Sequence, residues 1–137
     1  MKATFHEKDS RATTILGRIH TDVCGPFSVA SIAKHRYYVI FVDDFSHKCW
    51  IFFMQKKSET YQKFCEFKAL VEKDSEKQVK ALRSDNGGEY ICSEFKDFCS
   101  AEGIRRELIA PHNPQQNGVA ERKNRMIVGA ARAMLHD

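Results

Sequence analysis

At 137 residues, 42% of them hydrophobic and 29% charged, the chain has the length for one domain with a real core and is too short for two ordinary ones. No apolar run nears the roughly 20 residues of a membrane helix, the opening MKATFHEKDSRAT lacks the apolar stretch of a secretory signal, and five cysteines without a CxxC pair favour reduced thiols in the nucleus and cytoplasm over a disulfide framework or a zinc finger. The net charge of +4 is unevenly placed: from Ile104 to Asp137 six bases (Arg105, Arg106, Arg122, Lys123, Arg125, Arg132) face three acids (Glu107, Glu121, Asp137), a balance that suits a polyanion and, taken alone, suits a solvated helix face better.

Residues 1–14 show no periodicity and are expected to be a mobile lead-in, leaving 15–137 as the domain. Ile15 to Val23 reads as a first strand, with His20, Asp22 and Cys24 on one face and Gly25-Pro26 ending it. Arg36 to Val42 (RYYVIFV) has the continuous β-branched and aromatic pattern of a strand buried on both faces, and Asp43 and Asp44 close it. Cys49 to Met54 (CWIFFM) follows after a short connection, so these runs predict an antiparallel meander. From Ser58, Tyr61, Phe64, Phe67, Leu70 and Val71 recur at helical spacing and predict a helix that covers the sheet. Gln78 to Asp85 returns as a strand broken by Asn86-Gly87-Gly88, and Glu89 just behind it is expected to be exposed. Ser93 reads as the N-cap of a second helix with Phe95, Phe98 and Cys99 inward and Gly103 as its stop, before a short fifth strand from Ile104 to Ile109. Pro111 and Pro114 exclude regular helix up to Asn117, and Glu121 then opens a last helix that places Glu121, Arg125, Val128 and Arg132 on one stripe.

This order is that of a mixed-sheet α/β unit. If the first and fourth strands lie parallel and adjacent, Asp22 and Asp85 project from neighbouring strand ends, and Glu121, separated from Asp85 by thirty-five residues, can face both. Three oxygen ligands without a thiolate favour Mg²⁺ or Mn²⁺, and a pair of such ions suits in-line displacement at phosphorus. Singly, each of these acids is better read as a cap, a turn former or a surface carboxylate.

The segments HTDVCGPF, VDDFS, RSDNGGEY and PHNPQQNGVAER, with the Asp85 to Glu121 spacing, together resemble the catalytic core of retroviral and retrotransposon integrases, most closely those of copia-like elements. The resemblance runs from about Leu16 onward. It implies a ribonuclease H-like fold, a five-stranded mixed sheet flanked by helices that lacks the last helices of the family. It implies Asp22, Asp85 and Glu121 as catalytic and metal-binding triad, and a reaction that trims DNA ends and joins them to a target strand. It further implies that the loop bearing His112, Gln115, Gln116 and Asn117 approaches the DNA end, that Lys123 and Arg125 contact DNA, and that the core forms a homodimer or larger oligomer.

Asp43 or Asp44 as an additional ligand competes with a turn role for these residues, and His20 with a packed strand histidine. A ribonuclease H-type nuclease and a non-catalytic DNA-binding remnant of an element are the alternatives to an integrase-type enzyme.

Overall fold

The computed structural model describes residues 11–26, 35–109 and 122. Five strands, β1 (Ile19–Cys24), β2 (Tyr37–Asp43), β3 (Cys49–Met54), β4 (Ala81–Asp85) and β5 (Arg105–Ile109), form one sheet in the order β3-β2-β1-β4-β5. The first three pair antiparallel as the expected meander, while β4 pairs parallel to β1 and β5 parallel to β4. Helix α1 (Thr60–Ser75), entered through a 3₁₀ turn at Lys57–Glu59, connects β3 to β4; a short helical segment α2 (Gly88–Ile91) and helix α3 (Ser93–Glu102) connect β4 to β5. The sheet is thus mixed because the first three strands reverse direction in turn, whereas the helical links return the chain in the same sense.

Alternation along β2 sorts the two faces of the sheet. Val39 and Phe41 point with Ile19 and Leu82 into the main core, where Phe64, Phe67 and Val71 of α1 and Phe95 and Cys99 of α3 meet them. The Phe41 and Phe67 rings stack with centroids 4.4 Å apart, and Trp50 meets Phe67 edge-on at 5.2 Å, so the aromatic residues supply much of the core contact. Tyr38, Ile40 and Val42 form a second buried cluster on the opposite face, with Cys24 and Ile51 against it. A strand buried on both sides needs apolar residues at both alternations, which is what YYVIFV supplies.

Several local expectations are corrected. Leu70 is exposed, although its three-residue steps from Phe64 and Phe67 look helical, because each step of three falls 60° short of a full turn and the third lands outside the buried stripe. The N-cap of α3 is Cys92, in extended backbone, and Ser93 is its first helical residue. The Asn86-Gly87-Gly88 turn runs directly into α2, a helical segment that the glycines and the short length hid in the sequence. Cys49, which opens the edge strand β3, is exposed. Gly103 stops α3 as expected, at φ 72°, with its N–H reaching the carbonyls of Cys99 and Ser100. Just ahead of the predicted domain, Ala12 N–H donates to Asp44 Oδ2 at 2.6 Å.

Candidate active site

The parallel pairing of β1 and β4 sets the site. Ile19 lies opposite Leu82 and His20 opposite Arg83, so the same register carried to the strand ends brings Asp22 level with Asp85. Parallel strands end on the same edge of a sheet, and side chains level with one another share a face. Each carboxylate is oriented by backbone close by: Val23 N–H donates to Asp22 Oδ1 at 3.0 Å, and Gly87 N–H to Asp85 Oδ1 at 2.8 Å.

Behind this edge stands Tyr90 of α2, fully buried, its hydroxyl 3.0 Å from Thr21 Oγ1. Burial pushes its hydroxyl well above the ordinary value, the Thr21 hydrogen bond opposes this, and the negative charges of Asp22, Asp85 and Glu89 add to the rise. Tyr90 therefore stays a neutral hydroxyl, and three carboxylates reach it electrostatically. Glu89 is half-buried, not exposed as the sequence suggested, because α2 folds it back over the turn. A Cβ placed on Gly87 would stand 2.7 Å from Glu89 Oε2 and 3.0 Å from Asp85 Oδ1. Only glycine leaves that space to the two carboxylates.

Asp43 and Asp44 lie at the other end of the sheet. Asp43 pairs with Ile19, three residues from Asp22 and so roughly 10 Å along the strand. Its carboxylate accepts from Leu16 N–H at 2.7 Å and from Ser46 N–H at 2.8 Å, closing the β2–β3 turn. Asp44 accepts from His20 Nε2 at 2.7 Å and stands 3.7 Å from Arg18. Burial alone would raise Asp44, but the Ala12 N–H bond, the hydrogen bond from His20 and the charge of Arg18 hold it below the usual carboxylate range. Burial lowers His20 despite Asp44, with Arg83 and Arg18 adding to the fall, so the ring is neutral and Nε2 carries the donated proton. His20 is thus a packed strand histidine that joins β1 to the end of β2.

Two of the bases counted toward a polyanion surface are occupied within the fold. Arg105 pairs with Glu107 at 2.9 Å, in a cluster where Arg83 reaches the same carboxylate at 2.8 Å and Arg18 at 3.0 Å. Arg106 donates to the Tyr90 carbonyl at 3.4 Å. Arg122 is exposed. Glu121, His112, Gln115, Gln116, Asn117, Lys123 and Arg125 lie outside the described residues, as does the start of the lead-in.

Among the described residues no three His, Cys, Asp or Glu side chains are assembled into a complete metal-holding group. The donor chemistry at the strand ends nevertheless fits a hard divalent cation: oxygen donors only, on two rigid strand termini, with space kept open at Gly87.

The integrase core domain family matches residues 13–114. The chain belongs to that family. This integrase core is 45% identical over 98% of its length to the retrovirus-related Pol polyprotein from transposon TNT 1-94 of Nicotiana tabacum, and 38% identical over 93% to that from transposon RE2 of Arabidopsis thaliana. It spans about a tenth of those polyproteins, 10% and 8% of their lengths. Its fold is that of retroviral integrase cores. The HTLV-2 integrase catalytic core domain in complex with magnesium, in its dimeric form, superposes with a TM-score of 0.69 at 22% identity, covering 93% of this chain and 77% of that one. A chain of the simian T-cell lymphotropic virus intasome in complex with PP2A regulatory subunit B56 gamma gives the same score at 21% identity, covering 84% and 39%. At such identities the likeness speaks for the ribonuclease H-like fold alone.

Proposed function

We propose that this integrase core is the catalytic unit of a retrotransposon integrase, a metal-dependent polynucleotidyl transferase that processes DNA 3′ ends and joins them to target DNA. The observation that supports this most directly is the parallel β1–β4 register, which sets Asp22 level with Asp85 at one edge of the sheet. In this reading Asp22, Asp85 and Glu121 hold Mg²⁺ or Mn²⁺. The magnesium in the HTLV-2 core supports that choice of ion, and the bound ions would supply Lewis-acid stabilisation of the charge developing at phosphorus.

The chain's own residues prepare the site. The Val23 and Gly87 N–H groups fix the rotamers of Asp22 and Asp85, so little ordering remains to be done when ligands arrive. Neutral Tyr90, buried behind the strand ends and bonded to Thr21, closes the site toward the core without adding a further charge. His112, Gln115, Gln116 and Asn117, with Lys123 and Arg125, contact the DNA end in this reading, which keeps the molecule in the nucleus and cytoplasm. The dimeric and trimeric forms of the HTLV-2 core support self-association.

The test is a disintegration assay on branched DNA with Mn²⁺. The wild-type chain should release and rejoin strands, and Asp85→Asn should lower the rate by at least about two orders of magnitude. Equal rates in both would overturn the mechanism. Cleavage of an RNA–DNA hybrid without strand joining would instead favour a ribonuclease H-type nuclease.

A further inference from the structure

We propose that Glu89 sets the divalent-cation affinity of the site, supplying a further negative charge beside Asp85 without itself coordinating the ion. The inference rests on the metal-binding reading of Asp22 and Asp85 given above.

Its geometry is local to the turn. Asp85 ends β4, the chain reverses at Asn86 and Gly87, and α2 returns Glu89 to the same side. The point a Cβ would occupy at Gly87 lies 2.7 Å from Glu89 Oε2, 3.0 Å from Glu89 Cδ and 3.0 Å from Asp85 Oδ1, so both carboxylates border one small space. Glu89 is half-buried there, and the Tyr90 hydroxyl feels its charge together with those of Asp22 and Asp85.

Two carboxylates this close repel, and the repulsion is strongest where water is partly excluded. Among the described residues no side chain donates a hydrogen bond or an ion pair to the Glu89 carboxylate, whereas Glu107 and Asp44 each have their cations. The surplus charge therefore stands at the strand end where a divalent ion would bind, and the ion relieves it. Coordination by Glu89 is not part of the inference, because Asp22, Asp85 and Glu89 do not converge into one metal-holding group. A purely structural role, as an acid in the first turn of α2, would act on stability and not on the ion.

The experiment is calorimetric titration of Mn²⁺ into the full 137-residue chain at pH 7, without DNA, with circular dichroism as a check on folding. Glu89→Gln keeps the shape and removes the charge, and should weaken Mn²⁺ binding about ten-fold, the order expected for one unit charge several ångströms from a divalent ion in a partly wet site. Glu89→Asp should retain most of the affinity. Glu94→Gln removes an equal charge from an exposed position on α3 and should change it less than about two-fold. If Glu89→Gln binds like wild type or like Glu94→Gln while Asp85→Asn loses binding, this inference fails and the metal-binding reading stands. If Asp85→Asn binds Mn²⁺ as wild type does, or wild type does not bind it, both fail.

Discussion

Gly87 and Glu107 show how single positions serve the site and the frame around it. At Gly87 a methyl group would press on the ends of two side chains, one of them the flexible end of Glu89. Gly87→Ala should therefore cost little stability, about 1 kcal/mol or less, while displacing the Glu89 carboxylate and weakening Mn²⁺ binding several-fold; calorimetry and thermal melting of the same sample separate the two effects. Glu107 is half-buried, and burial alone would raise its carboxyl. The hydrogen bond from Arg105, with Arg83 and Arg18 alongside, outweighs that and holds it below the ordinary value. A carboxylate lowered in the folded state contributes stability that is fully present above its unfolded value, near pH 4.3, and is lost as pH falls through the lower folded value. Glu107→Gln should accordingly be less stable than wild type by about 2–3 kcal/mol at pH 7, with the gap closing as the medium is taken below about pH 4. Urea unfolding across that range reads the difference directly.

At the scale of elements, helix α1 is held by the stripe of Phe64, Phe67 and Val71, and not by every apolar residue it carries. Phe67 packs on Phe41 and Trp50 and is fully buried, so Phe67→Ala should cost about 3–5 kcal/mol. Leu70→Ala, from a residue 47% exposed, should stay within about 0.5 kcal/mol. Denaturant titration of the pair tests the face assignment. The strands β2 and β3 were legible because RYYVIFV and CWIFFM are β-branched and aromatic along most of their lengths and the link between them is short. Element ends were less legible. Residues such as Ile15 and Gln78 stand outside the ladders although the sequence patterns include them, since a ladder ends where partners end and not where apolar residues do. The helical segment α2 left no periodic signal at all, because four residues are shorter than the repeat that would reveal them.

For the whole molecule, the site joins segments that are far apart in the chain, and a ligand that bridges them must stabilise the fold that brings them together. Mn²⁺ at about a hundred times its dissociation constant should raise the stability of the wild-type chain by about 2.7 kcal/mol and its melting temperature by several degrees. Asp85→Asn should melt at the same temperature with and without the ion. A thermal scan with Mn²⁺ and with chelator checks this, and an equal shift in both proteins would place the ion elsewhere.

The motif order, the family, the central strand and the placement of Asp22 and Asp85 near strand ends were readable in the chain alone, because they rest on residue type and spacing. The sequence could not determine which strands are neighbours. The level placement of Asp22 with Asp85 follows from the parallel β1–β4 register, and the roles of Asp43, Asp44 and His20 at the far end of the sheet follow from the antiparallel return of β2. The approach of Glu89 to Asp85 likewise appears only in three dimensions. Side-chain type sets what a residue can do locally, but the distance between charges, which decides whether they repel, pair or hold an ion, is set by the packing of segments the sequence keeps apart.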